Sequence, residues 1–219
     1  MLPLYLILSA IVGYLLGSIS VSVILSKIAF KDDVRQHGSG NAGATNMARV
    51  YGFKGGIAVL IGDFVKALLS WLFAYIIGGE NSETCIMVAG IACILGHAFP
   101  VFFNFKGGKG VTVGAAVALM VDWKALLFIF IIFVVVFALT KIVSLSSVCG
   151  AIGLAFITIL FFVFNTIGIG NGYFVNFSWQ MLVLAVVASI ISVSLHRQNI
   201  VRLIRGEEKK FSVNKDKNK

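Results

Sequence analysis

Long apolar runs are the feature of this sequence that most restricts its fold. They lie at about residues 2–25, 56–78, 84–104, 111–121, 125–140, 146–164 and 179–195. With 59% hydrophobic and 12% charged residues, the chain would expose large apolar surfaces in water. Because lipid offers the backbone no hydrogen-bond partners, segments that cross a membrane must be helical. The sequence therefore predicts an all-α integral membrane protein with seven transmembrane helices.

The distribution of cations predicts the orientation of these helices. The fourth run is shorter than the about twenty residues that usually span a bilayer. Suppose that this run does cross the membrane and that the N-terminus is outside. Sixteen of the eighteen Lys and Arg residues then lie in inner loops or in the C-terminal tail. Of the other two, Lys66 lies within the second span and Lys124 alone is outside. Without that crossing, Lys141 and the tail would be outside. We therefore predict a cytosolic C-terminus, one transmembrane domain over 1–210 and a basic cytosolic tail over 211–219.

Charge and cysteine content exclude several other classes. The net charge of +9 is mostly this orientation signal plus the tail, so no nucleic-acid partner is predicted. Cys85, Cys93 and Cys149 stand singly in apolar surroundings and are typical of small hydrophobic residues. No metal and no cofactor are predicted.

The first polar cluster follows the first apolar run and combines glycines with small hydroxyl and amide side chains. Its members are Gly38, Ser39, Gly40, Asn41, Thr45, Asn46 and Arg49. Glycines let backbone N–H groups converge on an anion, so this composition is typical of oxyanion binding. The alternative is a tight turn in which Ser39 or Thr45 caps a following helix.

A second cluster follows the third apolar run. It contains His97 and the segment Lys106-Gly107-Gly108-Lys109. Two lysines separated by two glycines can surround one phosphate with ammonium groups and backbone donors. The alternative is that both lysines only mark the inner side of the membrane, although this leaves the glycines unexplained.

The third cluster begins where the last apolar run ends. On a helix, His196, Asn199 and Arg202 share one face. A basic helix at the lipid head groups is the alternative, and it explains His196 and Asn199 poorly. A further feature is the i, i+3 pair Asp63 and Lys66 inside the second run, which is either a functional site or a structural ion pair.

These clusters carry a resemblance to a known family. The segments GSGNAGATN, GHAFPVFFNFKGGKGV and HRQNIVRLIRGEEKK occur in that order, each at an inner loop. In them the chain resembles the bacterial acyl-phosphate:glycerol-3-phosphate acyltransferases, which are integral proteins of the inner membrane. The resemblance implies transfer of a fatty acyl group from acyl phosphate to the 1-hydroxyl of glycerol 3-phosphate, with lysophosphatidic acid and inorganic phosphate as products. It also implies membrane lipid and a soluble acyl-phosphate synthase as partners.

The resemblance assigns roles to individual positions. It implies His196, Asn199, Ser39 and Lys109 as catalytic residues. A larger set of residues is predicted to bind the substrates, either from the resemblance or from the composition of the polar clusters. These residues are Gly38, Gly40, Asn41, Thr45, Asn46, Arg49, Lys106, Gly107, Gly108, His97 and Arg202. The chain departs from the family pattern at Ala42, Ala67 and Thr112-Val113. Two other functions stay open: transport of a small phosphorylated solute, and a different reaction on membrane lipid phosphates.

Overall fold

The computed structural model describes residues 1–169 and 178–212, and the described residues form helices and turns without strands. The helices are α1 Leu2–Gly17, α2 Val21–Phe30, α3 Ala44–Tyr51, α4 Phe53–Gly78, α5 Ser82–Ala98, α6 Val111–Val121, α7 Trp123–Thr140, α8 Val143–Thr166, α9 Trp179–Leu195 and α10 Arg197–Ile204. The predicted all-helical class is confirmed. Part of the predicted tail, residues 213–219, lies outside the described residues.

Four helical segments of the described chain are long and apolar enough to cross a membrane. They are Leu2–Phe30, Phe53–Phe103, Trp123–Thr140 and Val143–Thr166. A fifth is formed if α9 and α10, which are bent by 59° relative to each other, count as one span. Val111–Val121 is apolar but shorter.

The segment Phe53–Phe103 contains two antiparallel helices, α4 and α5. A Cβ added at Gly78 would lie 3.2 Å from Cys85, while Ser70 Oγ donates to the Ala89 carbonyl and Lys66 Nζ lies 3.0 Å from His97 Nδ1. The residue numbers of these partners change in opposite directions along the two helices. The segment therefore folds back on itself at the turn Gly79–Asn81.

The first apolar run, which we predict as one helix over 2–25, is broken in the structure. Helix α1 ends at Gly17, and Ser20 has extended backbone angles before α2 begins. The break is possible because Lys66 Nζ donates to the Ile19 carbonyl oxygen at 2.7 Å, which satisfies a backbone acceptor that the helix leaves open. This partner is distant in sequence, so the local pattern does not reveal the break.

Small residues bring α1 and α5 close together and parallel. A Cβ at Gly13 would lie 2.6 Å from the Ala89 carbonyl oxygen, and one at Gly17 would collide with the Cys93 carbonyl oxygen. Close backbone approach at small residues is how helices associate in lipid, where apolar burial alone gives no driving force. Helix α5 in turn runs parallel to α9, since Thr84 bonds Gln180 and Gly90 lies against Leu184.

The remaining helices alternate in direction around this centre. The start of α8 lies beside the segment that follows α10, because Ser144 Oγ donates to Glu208 Oε1. The end of α7 lies beside the same segment, because the Phe211 N–H donates to the Lys141 carbonyl. In α7, which lies wholly within the described chain, only Ala125 is buried, so this helix is at the periphery. The ends of α1, α5, α7 and α9 and the starts of α4, α6 and α8 therefore meet at one end of the bundle.

Candidate active site

A cleft of about 530 Å³ opens at this end of the bundle. All three polar clusters of the sequence contribute to its wall. The predicted residues that line it are Gly38, Ser39, Asn41, Thr45, Asn46, Arg49, Asp63, His97, Lys109, His196, Asn199 and Arg202. The fold thus brings together segments that lie more than 150 positions apart in the chain.

The loop of the first cluster is held by the side chain of Asn46 at the start of α3. Its Nδ2 donates to the carbonyl oxygens of Val34 at 3.0 Å and His37 at 3.1 Å, and its Oδ1 accepts the Ser39 N–H at 2.8 Å. Gly38 has φ +62°, and a Cβ there would collide with Asn46 Oδ1, so this position requires glycine. We predict Asn46 as a substrate ligand, yet its amide is used to shape the loop.

Two helix N-termini point their first residues at the cleft. Thr45 belongs to the first turn of α3, and Val111 and Thr112 belong to the first turn of α6. First-turn N–H groups have no acceptor within their own helix, and the helix dipole adds partial positive charge there. Both ends are therefore suited to hold anionic groups.

Cationic side chains strengthen this positive character. Arg49, Lys109 and Arg202 line the cleft, and Lys109 Nζ donates to Asn199 Oδ1. Burial lowers the pKa of Lys109, while the negative charge of Glu208 acts against this shift. The ammonium group is thus partly desolvated and close to the third cluster, where its charge acts more strongly than it would in water.

His196 lies at the bend between α9 and α10 and is 2% exposed. Its Nδ1 is 2.8 Å from the Ser192 carbonyl oxygen. Because a carbonyl oxygen can only accept, Nδ1 carries the proton and Nε2 is left as an acceptor. Burial also lowers the pKa of His196, so the imidazole is neutral near pH 7.

Glu208 lines the cleft but is not among the predicted site residues. Its Oε1 accepts from Asn199 Nδ2 and Ser144 Oγ, both at 2.6 Å, and its Oε2 accepts from Arg202 Nε at 2.7 Å. Burial alone would raise the pKa of Glu208, but these hydrogen bonds and Arg202 hold it below its ordinary value. The carboxylate thereby orients Asn199 and joins α8 to α10. In the sequence, Glu208 lies in a segment that is rich in cations, and a carboxylate in such a segment is the feature that could have identified it.

Four residues predicted as substrate-binding do not line the cleft, namely Gly40, Lys106, Gly107 and Gly108, and neither does Lys66 of the predicted intramembrane pair. Lys106 is exposed, so the structure does not bring it into a clamp with Lys109. The N–H groups of Gly107 and Gly108 donate to the carbonyl oxygens of Ala98 at 3.2 Å and His97 at 3.0 Å, which ties this loop to the end of α5. The Gly40 N–H donates to the His37 carbonyl at 3.0 Å. The three glycines shape loops, and Lys109 alone of the two lysines reaches the cleft.

One side of the cleft is apolar. Leu60, Val111, Phe133, Val143 and Phe211 contribute to it, and Leu60 is 49% exposed on the outer surface of the bundle. The cleft can therefore hold an anionic head group together with an apolar chain that reaches the lipid. Among the described residues, no three His, Cys, Asp or Glu side chains come together as a metal site requires.

Comparison with known proteins agrees with this site. The family model described as glycerol-3-phosphate acyltransferase matches residues 7–206. The chain is 40% identical over 211 residues to the glycerol-3-phosphate acyltransferase of Finegoldia magna, covering 96% of this chain and 98% of that one. It is 41% identical over 205 residues to glycerol-3-phosphate acyltransferase 2 of Bacillus anthracis, covering 94% and 98%.

Solved structures agree as well. The glycerol 3-phosphate form of PlsY (YgiH), an integral membrane glycerol 3-phosphate acyltransferase, matches with a TM-score of 0.78 and 32% identity, covering 94% of this chain and 96% of that one. Its lysophosphatidic acid form matches with a TM-score of 0.76. Of the functions that the sequence leaves open, these relatives support the enzyme over the transporter. The helical fold, the anion-binding cleft and the near full-length similarity together show that this chain belongs to the glycerol-3-phosphate acyltransferase family of integral membrane enzymes.

Proposed function

We propose that this enzyme takes its acyl group from an acyl phosphate and transfers it to the 1-hydroxyl of glycerol 3-phosphate. The products are lysophosphatidic acid and inorganic phosphate. One observation carries the proposal: a single cleft combines two helix N-termini, the four cationic side chains of Arg49, Lys109, Arg202 and Lys209, and an apolar wall that is open to lipid. Both substrates carry a phosphate and one carries a long apolar chain, so this combination suits them together.

The two anions are bound by two different parts of the cleft in this proposal. Ser39, Asn41 and Arg49, with the start of α3, form one phosphate cradle. Lys109, with the start of α6, forms the other. His196, Asn199 and Arg202 lie on the third cluster beside Lys109, where the carbonyl group reacts. The bond from Lys109 to Asn199 supports this arrangement.

Transfer is direct in our proposal and needs no acyl-enzyme. An acyl phosphate is already an activated mixed anhydride, so alignment of the hydroxyl with the carbonyl supplies much of the rate. The hydroxyl oxygen forms a bond to the acyl carbon, the bond from that carbon to the phosphate oxygen breaks, and the departing phosphate takes the hydroxyl proton. Lys109 and Asn199 stabilise the negative charge on the carbonyl oxygen, and His196 orients the acceptor.

We further propose seven membrane crossings, an outer N-terminus and a cytosolic active site in the bacterial inner membrane. The alternating directions of α1, α4, α5, α6, α7, α8 and α9 support the number, and the cation-rich loops at the cleft end support the orientation. Residues 1–210 form one acyltransferase domain with the basic tail 211–219 beyond it. A soluble acyl-phosphate synthase delivers the donor.

The test uses purified protein in detergent with palmitoyl phosphate, glycerol 3-phosphate and excess EDTA. We expect equal amounts of lysophosphatidic acid and inorganic phosphate. Parallel reactions contain palmitoyl-CoA or palmitoyl acyl carrier protein in place of the acyl phosphate, and we expect no product from either. Product from a thioester donor alone, or product that disappears when metal is chelated, would overturn the proposal.

Direct transfer is tested at Ser39, a hydroxyl residue of the first loop that lines the cleft. Protein mixed with palmitoyl phosphate alone is quenched in acid and analysed by mass spectrometry. We expect no acylated Ser39, and we expect Ser39→Thr to retain more activity than Ser39→Ala because it keeps the hydroxyl group. A trapped acyl ester on Ser39 would replace direct transfer with a double displacement.

A further inference from the structure

Three buried polar side chains form a cluster at the wall of the cleft: Asp63 and Lys66 on α4 and His97 on α5. They are 2%, 4% and 6% exposed, respectively. Lys66 Nζ donates to the Ile19 carbonyl oxygen and lies 3.0 Å from His97 Nδ1. An ammonium group cannot accept, so His97 Nδ1 accepts this bond and the imidazole proton is on Nε2. Ionised groups inside a membrane span are costly, which makes this cluster a candidate for function.

Asp63 is the member of this cluster whose hydrogen bonds are incomplete. Its Oδ1 lies 2.8 Å from Lys66 Nζ and 3.6 Å from His97 Nδ1, yet it takes part in no aligned hydrogen bond within the described chain. Both of these ion-pair contacts involve Oδ1. A buried carboxylate normally accepts several hydrogen bonds. Because Asp63 also lines the cleft, a bound molecule can supply the missing donor.

The other residues of the cleft indicate which chemical group of a bound molecule can donate to Asp63. The neighbouring cations and helix ends suit a phosphate, and a phosphate would be repelled by the Asp63 carboxylate. The oxygens of Glu208 are already bonded to Ser144, Asn199 and Arg202. Glu207 also lines the cleft but is exposed. Asp63 is thus the buried cleft carboxylate that can accept a further hydrogen bond. An uncharged hydroxyl group can donate this bond without the repulsion that a phosphate would meet.

Position also links Asp63 to the reacting groups. The His97 carbonyl accepts the Gly108 N–H at 3.0 Å, and a Cβ at Gly108 would collide with the His97 ring. Gly108 directly precedes Lys109, which donates to Asn199. The carboxylate is therefore connected through His97 to the lysine that we assign to the reacting carbonyl.

We infer that Asp63 accepts a hydrogen bond from the 2-hydroxyl of glycerol 3-phosphate and thereby selects a polyol phosphate as the acyl acceptor. The inference rests on the proposed function. The 1-hydroxyl must face the acyl carbonyl and the phosphate needs the cations, so the 2-hydroxyl is the remaining donor on this substrate. Asp63 is a specificity residue in this role, and no proton is transferred to it.

The experiment compares glycerol 3-phosphate with 3-hydroxypropyl phosphate, which keeps the reacting hydroxyl and the phosphate but lacks the 2-hydroxyl. We expect the wild-type enzyme to favour glycerol 3-phosphate by at least about tenfold in kcat/KM, because loss of the hydroxyl leaves a buried carboxylate without one of its hydrogen-bond donors. The double variant D63L/K66M removes both charges together, so that neither is left unpaired, and should use the two acceptors within about threefold of each other. Asp63→Asn, which keeps an acceptor oxygen, should discriminate to an intermediate degree.

Arg49→Lys is the matched control. It weakens a phosphate contact that both acceptors share, so kcat/KM should fall by the same factor for both and the preference should stay at the wild-type value. Variants without turnover are compared by calorimetric titration with the two acceptors.

A wild-type enzyme that uses both acceptors equally, or Asp63 variants that lose both to the same degree, would overturn the inference. These outcomes differ from failure of the proposed function. If the proposed function is wrong, the wild-type enzyme forms no lysophosphatidic acid from acyl phosphate and glycerol 3-phosphate at all.

Discussion

At the scale of single residues, Lys109 and Lys106 differ although their sequence surroundings are alike. Lys109 is partly buried in the cleft and donates to Asn199, whereas Lys106 is exposed outside it. We expect Lys109→Ala to lower kcat/KM by more than about a hundredfold, about 2.7 kcal/mol of lost transition-state binding. Lys106→Ala should stay within about threefold. The two variants are compared by steady-state kinetics in which both substrates are varied, after their thermal stability has been shown to be unchanged. Equal losses of kcat/KM in both would support the predicted clamp of two lysines instead.

His196 can orient the acceptor or remove its proton, and pH separates the two roles. Burial lowers its pKa below the ordinary 6.5, so the neutral form is present at pH 7 and is lost only as the pH falls below that value. We expect His196→Gln to raise KM for glycerol 3-phosphate while kcat keeps its dependence on pH, because glutamine preserves one hydrogen bond. The measurement is kcat and KM between pH 5 and 9.

A different result would assign the proton to His196. If it were the general base, kcat in the wild type would fall as the imidazole protonates at low pH, and this limb would vanish in a nearly inactive His196→Gln enzyme. Asn199, which shares the cleft wall, serves as the comparison, since Asn199→Ala removes a hydrogen bond without removing a titratable group.

At the scale of helices, glycine positions determine how closely α1 and α5 approach. A Cβ at Gly17 would collide with the backbone of Cys93, which cannot move aside as a flexible side chain can. We expect Gly17→Ala to destabilise the protein by about 1–3 kcal/mol, the usual range for overpacking. Thermal unfolding in detergent, followed by intrinsic fluorescence, measures the effect.

Gly114 in α6 offers the matched control. A Cβ there meets no atom within 4 Å, and alanine has a higher helix propensity than glycine. Gly114→Ala should therefore leave the midpoint of unfolding unchanged or raise it. If both substitutions shift the midpoint equally, the close contact at Gly17 is not what holds the two helices together.

At the scale of the whole molecule, the proposed topology places the turn after α4 and the loop after α5 on opposite sides of the membrane. Glu80 and Lys106 are exposed members of these two segments. In a background with Cys85, Cys93 and Cys149 replaced by alanine, we expect a cysteine at 80 to react with an impermeant maleimide in intact cells. A cysteine at 106 should react only after the membrane is opened. The reverse pattern would invert the orientation.

The sequence by itself determined the class of the protein, since a backbone that cannot bond to lipid must form helices wherever a long apolar run enters the membrane. Hydropathy is a property of neighbouring residues, so the helix at 111–121 could be predicted with matching bounds. The polar clusters were recognisable for the same reason, because each is one short segment. Most of the predicted cleft residues, such as Ser39, Lys109 and His196, came from them.

Only the tertiary structure decided how those segments are used. The break in the first apolar run depends on Lys66, and the orientation of Asn199 depends on Lys109, ninety positions away, and on Glu208. Lys106 and Lys109 are equivalent in composition and are separated by how the glycines between them pack against α5. Each outcome is set by contacts between residues distant in the chain, which the packing of helices creates and no local pattern encodes.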